Sequence, residues 1–556
     1  MVISIFPPKR GNVEPFQTTF ALQQDNWNDF SFQTLYHLYH RRLDDSSSPT
    51  LIGSVKILRR GQTPSDGIQI NAPFERLSAE YCSVGTSLDY YQRLNEIPPE
   101  DRSEILEALR DIVAHPELQA EFRDERGWRV SLFRDNDDPE GYLADATAIY
   151  SSNYAALPDL QLSLTFHPRH WSSPLLLDFD SPVPAFYFGK LREIGPSKHQ
   201  VLLPRRIIVV IGRNGSGKSM LLSRIARVAF ASPSDRMRPE IQAIGAFEPP
   251  SIGFIRIIAI SYSAFDNFIV PGLYETERKQ IAADIEKGGG RYIYSGLRDI
   301  VAEVRDDLEA ASVRPAPEHE QAVLQPSERR TATRLKSLVQ LAEEFKRLLT
   351  QIAANGDEPL LDAALKPLLA DPSFADLEST NRIELLGSDP REGFLRWSAG
   401  HKIALHVIAS LVAHATRKSL VLFDEPETHL HPPLVAALMH AVRIVLEEKN
   451  AFAIVATHSP VVLQETLARH VRIVRRIGES FEVLMPSKET FGENIGILTY
   501  DTFGLTAVTT DFHQVLDFLI QEFSSVEEIN ALFTPSLSGQ ALAYVLAGLA
   551  RRGGRS

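Results

Sequence analysis

The sequence predicts an α/β protein: a sheet of buried parallel strands with its loops at one edge, preceded by an α+β extension. Three observations predict it. The runs Ile207–Ile211, Ile255–Ile260 and Ser419–Phe423 are almost wholly apolar, as strands covered on both faces are. Helical periods follow or separate them, at Met220–Phe230, Ile403–Ala415 and Pro432–Glu448. The segment before residue 60 instead alternates apolar and polar residues, the pattern of half-covered strands.

In chain order, strands are marked by Phe16, Thr18 and Phe20, by Phe32, Thr34, Tyr36 and Leu38, and by Leu51, Gly53, Val55 and Ile57, with a turn at Asp44–Pro49. From Thr86 to Phe122 the period is helical, and Leu106, Leu109, Ile112 and Val113 form its apolar stripe. Residues 123–205 carry no readable motif. In the charged, helical stretch 273–354, Leu335, Leu338, Ala342, Phe345, Leu349 and Ile352 keep a three-four spacing after a Pro-containing break at Arg314–Glu328. A short hairpin arm is expected there, the alternative being an amphipathic helix lying on the core. A strand at Ala451–Ala456 and a helix near Phe512–Phe523 follow, and a polar tail with Arg551, Arg552 and Arg555 is expected to be disordered. The expected division is 1–85 β-rich, 86–200 mixed, 201–272 first lobe, 273–390 helical insertion, 391–470 second lobe, 471–545 α/β segment and 546–556 flexible tail.

Bulk properties narrow the function. The 556 residues exceed one ordinary core, so two or three units are expected. A net charge of −13 argues against a surface that binds nucleic acid throughout, while leaving room for a local basic groove. The single cysteine, Cys82, excludes an intramolecular disulfide framework and a Cys-rich metal site, and fits a reducing cytoplasm. Met1–Phe16 has Pro7, Pro8, Lys9 and Arg10 and no apolar core, unlike a signal peptide. The longest apolar run, Ile403–Ala415, contains His406 and His414 and is too short for a bilayer. A cytoplasmic protein with no membrane partner is expected.

Four motifs carry chemistry. Gly212, Arg213, Asn214, Gly215, Ser216, Gly217, Lys218 and Ser219 form G-x-x-x-x-G-K-S between a buried strand and a helix, a phosphate-cradling loop. Its N–H groups and the helix N-terminus bind anionic oxygens; Lys218 reaches the β- and γ-phosphates of ATP and Ser219 ligates Mg²⁺. Asp424 and Glu425 end the apolar run Ser419–Phe423: Asp424 serves Mg²⁺, and Glu425 is the candidate base for the attacking water. His458 ends a later strand and is a candidate γ-phosphate contact. Ser398 and Gly400 open the Ile403 helix in Trp397-Ser398-Ala399-Gly400-His401-Lys402, as an anion site, a helix cap, or both.

In this order the four motifs resemble the ABC ATPase superfamily. Asp424-Glu425-Pro426-Glu427-Thr428-His429-Leu430-His431-Pro432 followed by Ala456-Thr457-His458-Ser459-Pro460 is similar to the SMC- and RecF-like branch, including overcoming-lysogenization-defect and Septu-type defence ATPases. Leu51–Lys56, Tyr292–Arg298 and Glu489–Gly496 also look like stretches of such ATPases. The resemblance implies a P-loop head with an antiparallel β-subdomain. It implies a homodimer of heads, each ATP held by Lys218, Ser219, Asp424 and Glu425 of one protomer and by Ser398 and Gly400 of the other. Three positions depart from the pattern. The signature reads Ser-Ala-Gly-His-Lys, no Q-loop glutamine follows Ile260 where Ser263 and Asp266 stand, and His431 occupies the D-loop aspartate position, where a contact between protomers is expected.

Three functions remain open: an ATPase switch in an anti-phage complex with a separate effector such as an HNH nuclease, a recombination or repair ATPase that clamps DNA, and a non-hydrolysing scaffold. Arg469, Arg472, Arg475 and Arg476 are the candidate nucleic-acid contact, with a solvated strand edge as the plain alternative. Glu489, Glu493 and Asp501 are scattered acids without the pattern of a nuclease centre.

Overall fold

The computed structural model describes the chain except residues 9–15, 27–28, 42–48, 96, 135, 137, 152–161, 180–202, 232, 251, 267, 274, 313–329, 331, 376–388, 504–510 and 554–556. Most of the expected turn Asp44–Pro49, the break Arg314–Glu328 and Arg555 lie outside the described residues.

The centre is a seven-stranded sheet in the order β11-β10-β12-β13-β8-β14-β15. Its strands are β8 (Ile207–Ile211), β10 (Ile257–Ser261), β11 (Tyr292–Gly296), β12 (Leu420–Asp424), β13 (Phe452–Thr457), β14 (Val471–Ile477) and β15 (Ser480–Leu484). All neighbouring pairs are parallel except the β14–β15 hairpin. Alternate residues go to opposite faces: Ile207, Val209 and Ile211 join one core and Ile208 and Val210 the other. The first core packs beneath the helices Leu338–Asn355, Glu358–Leu369, Ala399–His414 and Pro432–Lys449. The second holds the helix Lys218–Phe230 and a three-stranded antiparallel sheet of β6 (Ser163–Pro168), β7 (Leu175–Asp178) and β9 (Gly245–Glu248). Double coverage is why these strands carry no polar alternation.

The N-terminal extension is a five-stranded sheet, β1 (Ile3–Phe6), β2 (Phe20–Gln24), β3 (Leu35–His40), β4 (Thr50–Arg59) and β5 (Tyr81–Gly85), backed by helices and a core that buries Cys82. Ile255, just before β10, belongs to that core. Asp145 of the helix Pro139–Ser151 meets Lys418 at 3.0 Å and Arg417 at 3.6 Å, just before β12. The extension therefore docks on the edge where the central strands begin.

Two expectations are corrected. The described residues read as a hairpin arm do not project. The helix Leu338–Asn355 buries Leu341, Ala342, Phe345, Leu348 and Ile352 in the first core, while Leu335 and Leu338 of the supposed seam stay exposed. A three-four spacing describes a docked amphipathic helix equally well. The stretch 273–390 also contains β11, an edge strand of the central sheet. The tail is not wholly flexible either: the helix Gly539–Gly553 runs through Arg551 and Arg552, and Arg552 donates to Phe523 O at 3.1 Å.

After β10 a buried ion network fixes the chain. Arg298 meets Asp266 at 3.1 Å and Glu303 at 2.6 Å, with all three side chains at most 1% exposed. Removing one member of such a group leaves uncompensated charge in the interior. Arg298→Ala is expected to destabilise the head by about 3–5 kcal/mol, seen as a lower urea midpoint; an unchanged midpoint would refute the network's role.

Candidate active site

The three site strands end in one row. Asp424 pairs in register with Ser261 on one side and Ala456 on the other, and Thr457 pairs with Ile211. Parallel strands release their loops at the same edge, so Gly212–Ser219, Asp424–Glu427 and Thr457–Ser459 converge there.

Gly212 passes so close to Val474 O that a Cβ would stand 2.3 Å from it. Gly217 takes φ +82°, and its Cβ would lie 2.9 Å from Phe481 Cε1. Phe481, on β15, stacks on Trp171 with ring centroids 5.0 Å apart. Arg213, Asn214 and Gly215 are exposed, while Ser216 is buried and its hydroxyl has no hydrogen-bond partner among the described residues. Lys218 is 5% exposed and donates to Gly212 O at 2.9 Å and Arg213 O at 3.3 Å. Burial holds its pKa below the usual lysine value, against the pull of Asp424, Glu425 and Glu427.

Ser219 Oγ donates to Asp424 Oδ1 at 3.1 Å. The Asp424 carboxylate is pushed up to about 7, chiefly by burial, with Ser219's hydrogen bond opposing. These are hard oxygen donors beside a carboxylate short of positive charge, and they fit Mg²⁺, which takes one or two protein oxygens and completes its shell with phosphate and water.

The chain then turns sharply. Glu425 adopts φ +49°, an unusual conformation for a residue with a Cβ, and its N–H donates to Ala456 O at 2.8 Å. This turn sends its side chain elsewhere than that of Asp424. Glu425 Oε1 lies 3.7 Å from His458 Nδ1, and Glu427 Oε1 lies 3.0 Å from the same nitrogen. Glu425 and Glu427 push the His458 imidazole up to about 10, so it is a cation at neutral pH. In return the His458 cation holds the Glu425 carboxyl below its usual range.

Ser398 caps the helix Ala399–His414, its Oγ accepting from His401 N at 3.2 Å. Gly400 packs on the turn after β12, where a Cβ would approach His429 O to 3.1 Å. No hydrogen bond of Ser398 or Gly400 reaches the Gly212–Ser219 loop among the described residues. His431 caps the helix Pro432–Lys449 and lies 3.5 Å from Asp371. Asp266 is bound into the Arg298 network, accepting also from Tyr294 Oη at 3.0 Å. Of the basic cluster, Arg469 pairs with Asp178 at 2.7 Å, and Arg472 is 2% exposed and donates to Leu176 O at 2.8 Å. Those two lock β14 and the turn before it to β7; Arg475 and Arg476 alone of the four are exposed. Sequence reasoning missed Glu427 and Thr457 as site residues; the only signal was the second acid of Asp-Glu-Pro-Glu.

Fold and site together define an ATP-binding AAA/ABC-type ATPase domain. A family described as "AAA domain, putative AbiEii toxin, Type IV TA system" matches residues 273–464. The chain belongs to the family of protein ea59 of Escherichia phage lambda: the two are 30% identical over 533 residues, covering 91% of this chain and 90% of that protein. A shorter stretch of 75 residues is 31% identical to the probable ATPase of retron Vc95 from Vibrio cholerae, 14% of either chain. Among solved structures, an SMC head bound to the C-winged helix domain of ScpA aligns with 58% of this chain and 97% of its own at 14% identity and a TM-score of 0.24. UvrA2 from Deinococcus radiodurans aligns with 57% of this chain and 37% of its own, at 16% identity and a TM-score of 0.22.

Gly217→Ala forces a side chain into a left-handed turn against Phe481. Strain of about 1–3 kcal/mol is expected to weaken ATP binding about tenfold or more, measured by calorimetry; unchanged affinity would show that the loop does not need this conformation.

Proposed function

We propose that this chain is a Mg-ATP-hydrolysing, ABC-type switch whose two heads close on ATP and part after hydrolysis. The observation that carries the reading is the convergence of Lys218, Ser219, Asp424, Glu425 and His458 at one strand edge. Lys218 gives up its loop carbonyls for the β- and γ-phosphates, and loop N–H groups take the remaining oxygens. Mg²⁺ held by Ser219 and Asp424 supplies charge neutralisation across the phosphates. Glu425 accepts a proton from water as its oxygen bonds to the γ-phosphorus and the bond to ADP breaks. His458, already a cation, donates to the γ-phosphate and in turning to it leaves Glu425 free for the water. Ser398 and Gly400, exposed or half-exposed at a helix N-terminus, suit the partner protomer's γ-phosphate.

The switch needs a reader. We place this chain beside a separate effector, an HNH nuclease being the first candidate, on the strength of the resemblance to defence ATPases and the short likeness to the retron ATPase. The DNA-clamp reading has less support, since Arg469 and Arg472 are already committed within the fold.

Glu425→Gln is expected to lower turnover by about 10²–10⁴-fold while keeping ATP binding, and to accumulate a dimer in Mg-ATP by light scattering. Wild-type turnover in this variant would remove Glu425 as the base. The buried carboxyl gives a pH test. Below about 7 Asp424 holds a proton that Mg²⁺ must displace, and above it does not. Mg-ATP affinity should thus rise through neutrality and level off in alkali, and Asp424→Asn should abolish that slope.

A further inference from the structure

Glu427 stands two residues beyond the candidate base, yet it makes more contacts across the site than the base does. Its Oε1 lies 3.0 Å from His458 Nδ1 and accepts from the His458 backbone N–H at 2.7 Å. Thr457 Oγ1 lies 2.8 Å from each of its two oxygens. Thr457 Oγ1 also accepts from Ser459 N at 2.9 Å. One carboxylate, 11% exposed, thus ties the turn after β12 to the end of β13 at two consecutive residues, Thr457 and His458. Glu425 contributes only the longer contact of 3.7 Å to the same imidazole.

We propose that Glu427 is the positioning residue of the γ-phosphate sensor: it holds His458 by Nδ1 and by its backbone, so that the ring presents Nε2–H to the phosphate and can let go of Glu425 without losing its own place. Two carboxylates compete for one ring nitrogen. When a γ-phosphate arrives, the longer contact to Glu425 breaks and the shorter one to Glu427 persists. The freed Glu425 then accepts the proton of water. Thr457 and the backbone bond keep Glu427 itself from following the ring, because its oxygens are anchored independently of the imidazole.

Glu427→Gln is the informative change. It keeps an acceptor for Thr457 Oγ1 and the His458 N–H and removes the charge, whereas Glu427→Ala removes both. The charged and titratable groups against the ring are Glu425 and Glu427. The first readout needs no catalysis: the His458 ring titration, followed by NMR of histidine-labelled full-length protein and assigned by its loss in His458→Ala. Glu427→Gln should lower the midpoint by at least one pH unit with an unchanged melting temperature. A midpoint that stays in place overturns the proposal.

The second readout is a turnover cycle of Glu427→Gln, His458→Ala and the double variant. The proposal rests on His458 acting at the γ-phosphate, and the cycle separates the two claims. If Glu427 acts through His458, the double variant matches His458→Ala, and Glu427→Gln alone loses more turnover at pH 8.5 than at pH 6.5. If the two losses multiply, Glu427 acts elsewhere and the proposal falls while the sensor stands. If His458→Ala turns over like wild type, the sensor reading falls and takes the proposal with it.

Discussion

Asp424, Glu425 and Glu427 bring three carboxylates into one turn at the end of β12, where Asp424 is 5% exposed. Like charges this close in a dry site disfavour one another's ionisation, so the turn requires cations. Two arrive from other strands: Lys218 from the helix after β8, and His458 from the end of β13. Their responses match. Burial lowers the lysine while the three acids oppose the shift, and the histidine is raised by Glu425 and Glu427. The left-handed backbone at Glu425 belongs to the same arrangement, because it separates the first two acids so that one faces Ser219 and the other His458. A triphosphate with its metal would enter a site whose polar groups are already bonded internally, Lys218 to loop carbonyls and Ser219 to Asp424, and those bonds are ones that the ligand can replace.

Much of this was legible in the sequence for a local reason. The phosphate loop is encoded in eight consecutive residues, and the two acids after Phe423 lie next to each other. Strands covered on both faces announce themselves by apolar runs, which is why β8, β10, β12 and β13 could be placed within a residue or two. Long-range partners decided the rest. The three-four spacing of Leu338–Asn355 suits a hairpin arm or a docked helix alike, and what settles it is the contact of Phe345 with Phe394, Trp397 and His406. Arg469 looked like a nucleic-acid contact because its partner, Asp178, stands 291 residues away. Glu427 was passed over because Thr457 lies 30 residues further on.

The three additional stretches that resembled related ATPases have a shared physical character. Leu51–Lys56 ends in Lys56, paired with the buried Asp29 at 2.7 Å. Tyr292–Arg298 ends in the buried guanidinium that anchors Asp266. Glu489–Gly496 begins with a carboxylate that accepts from the N–H groups of Ala468, Thr490 and Phe491. Each is a polar tie. The first two are buried ion pairs, where substitution leaves an orphaned charge; Glu489 is exposed and instead gathers three backbone N–H groups at a turn.

The docking of the N-terminal extension through Ile255, Arg417 and Lys418 has a mechanical meaning. These residues precede β10 and β12, whereas the phosphates would sit beyond their far ends. One strand of five residues, roughly 17 Å long, lies between. The extension and the nucleotide edge are thus opposite poles of a stiff beam. A load on the extension would therefore reach the nucleotide edge along β10 and β12 themselves, with no loop between.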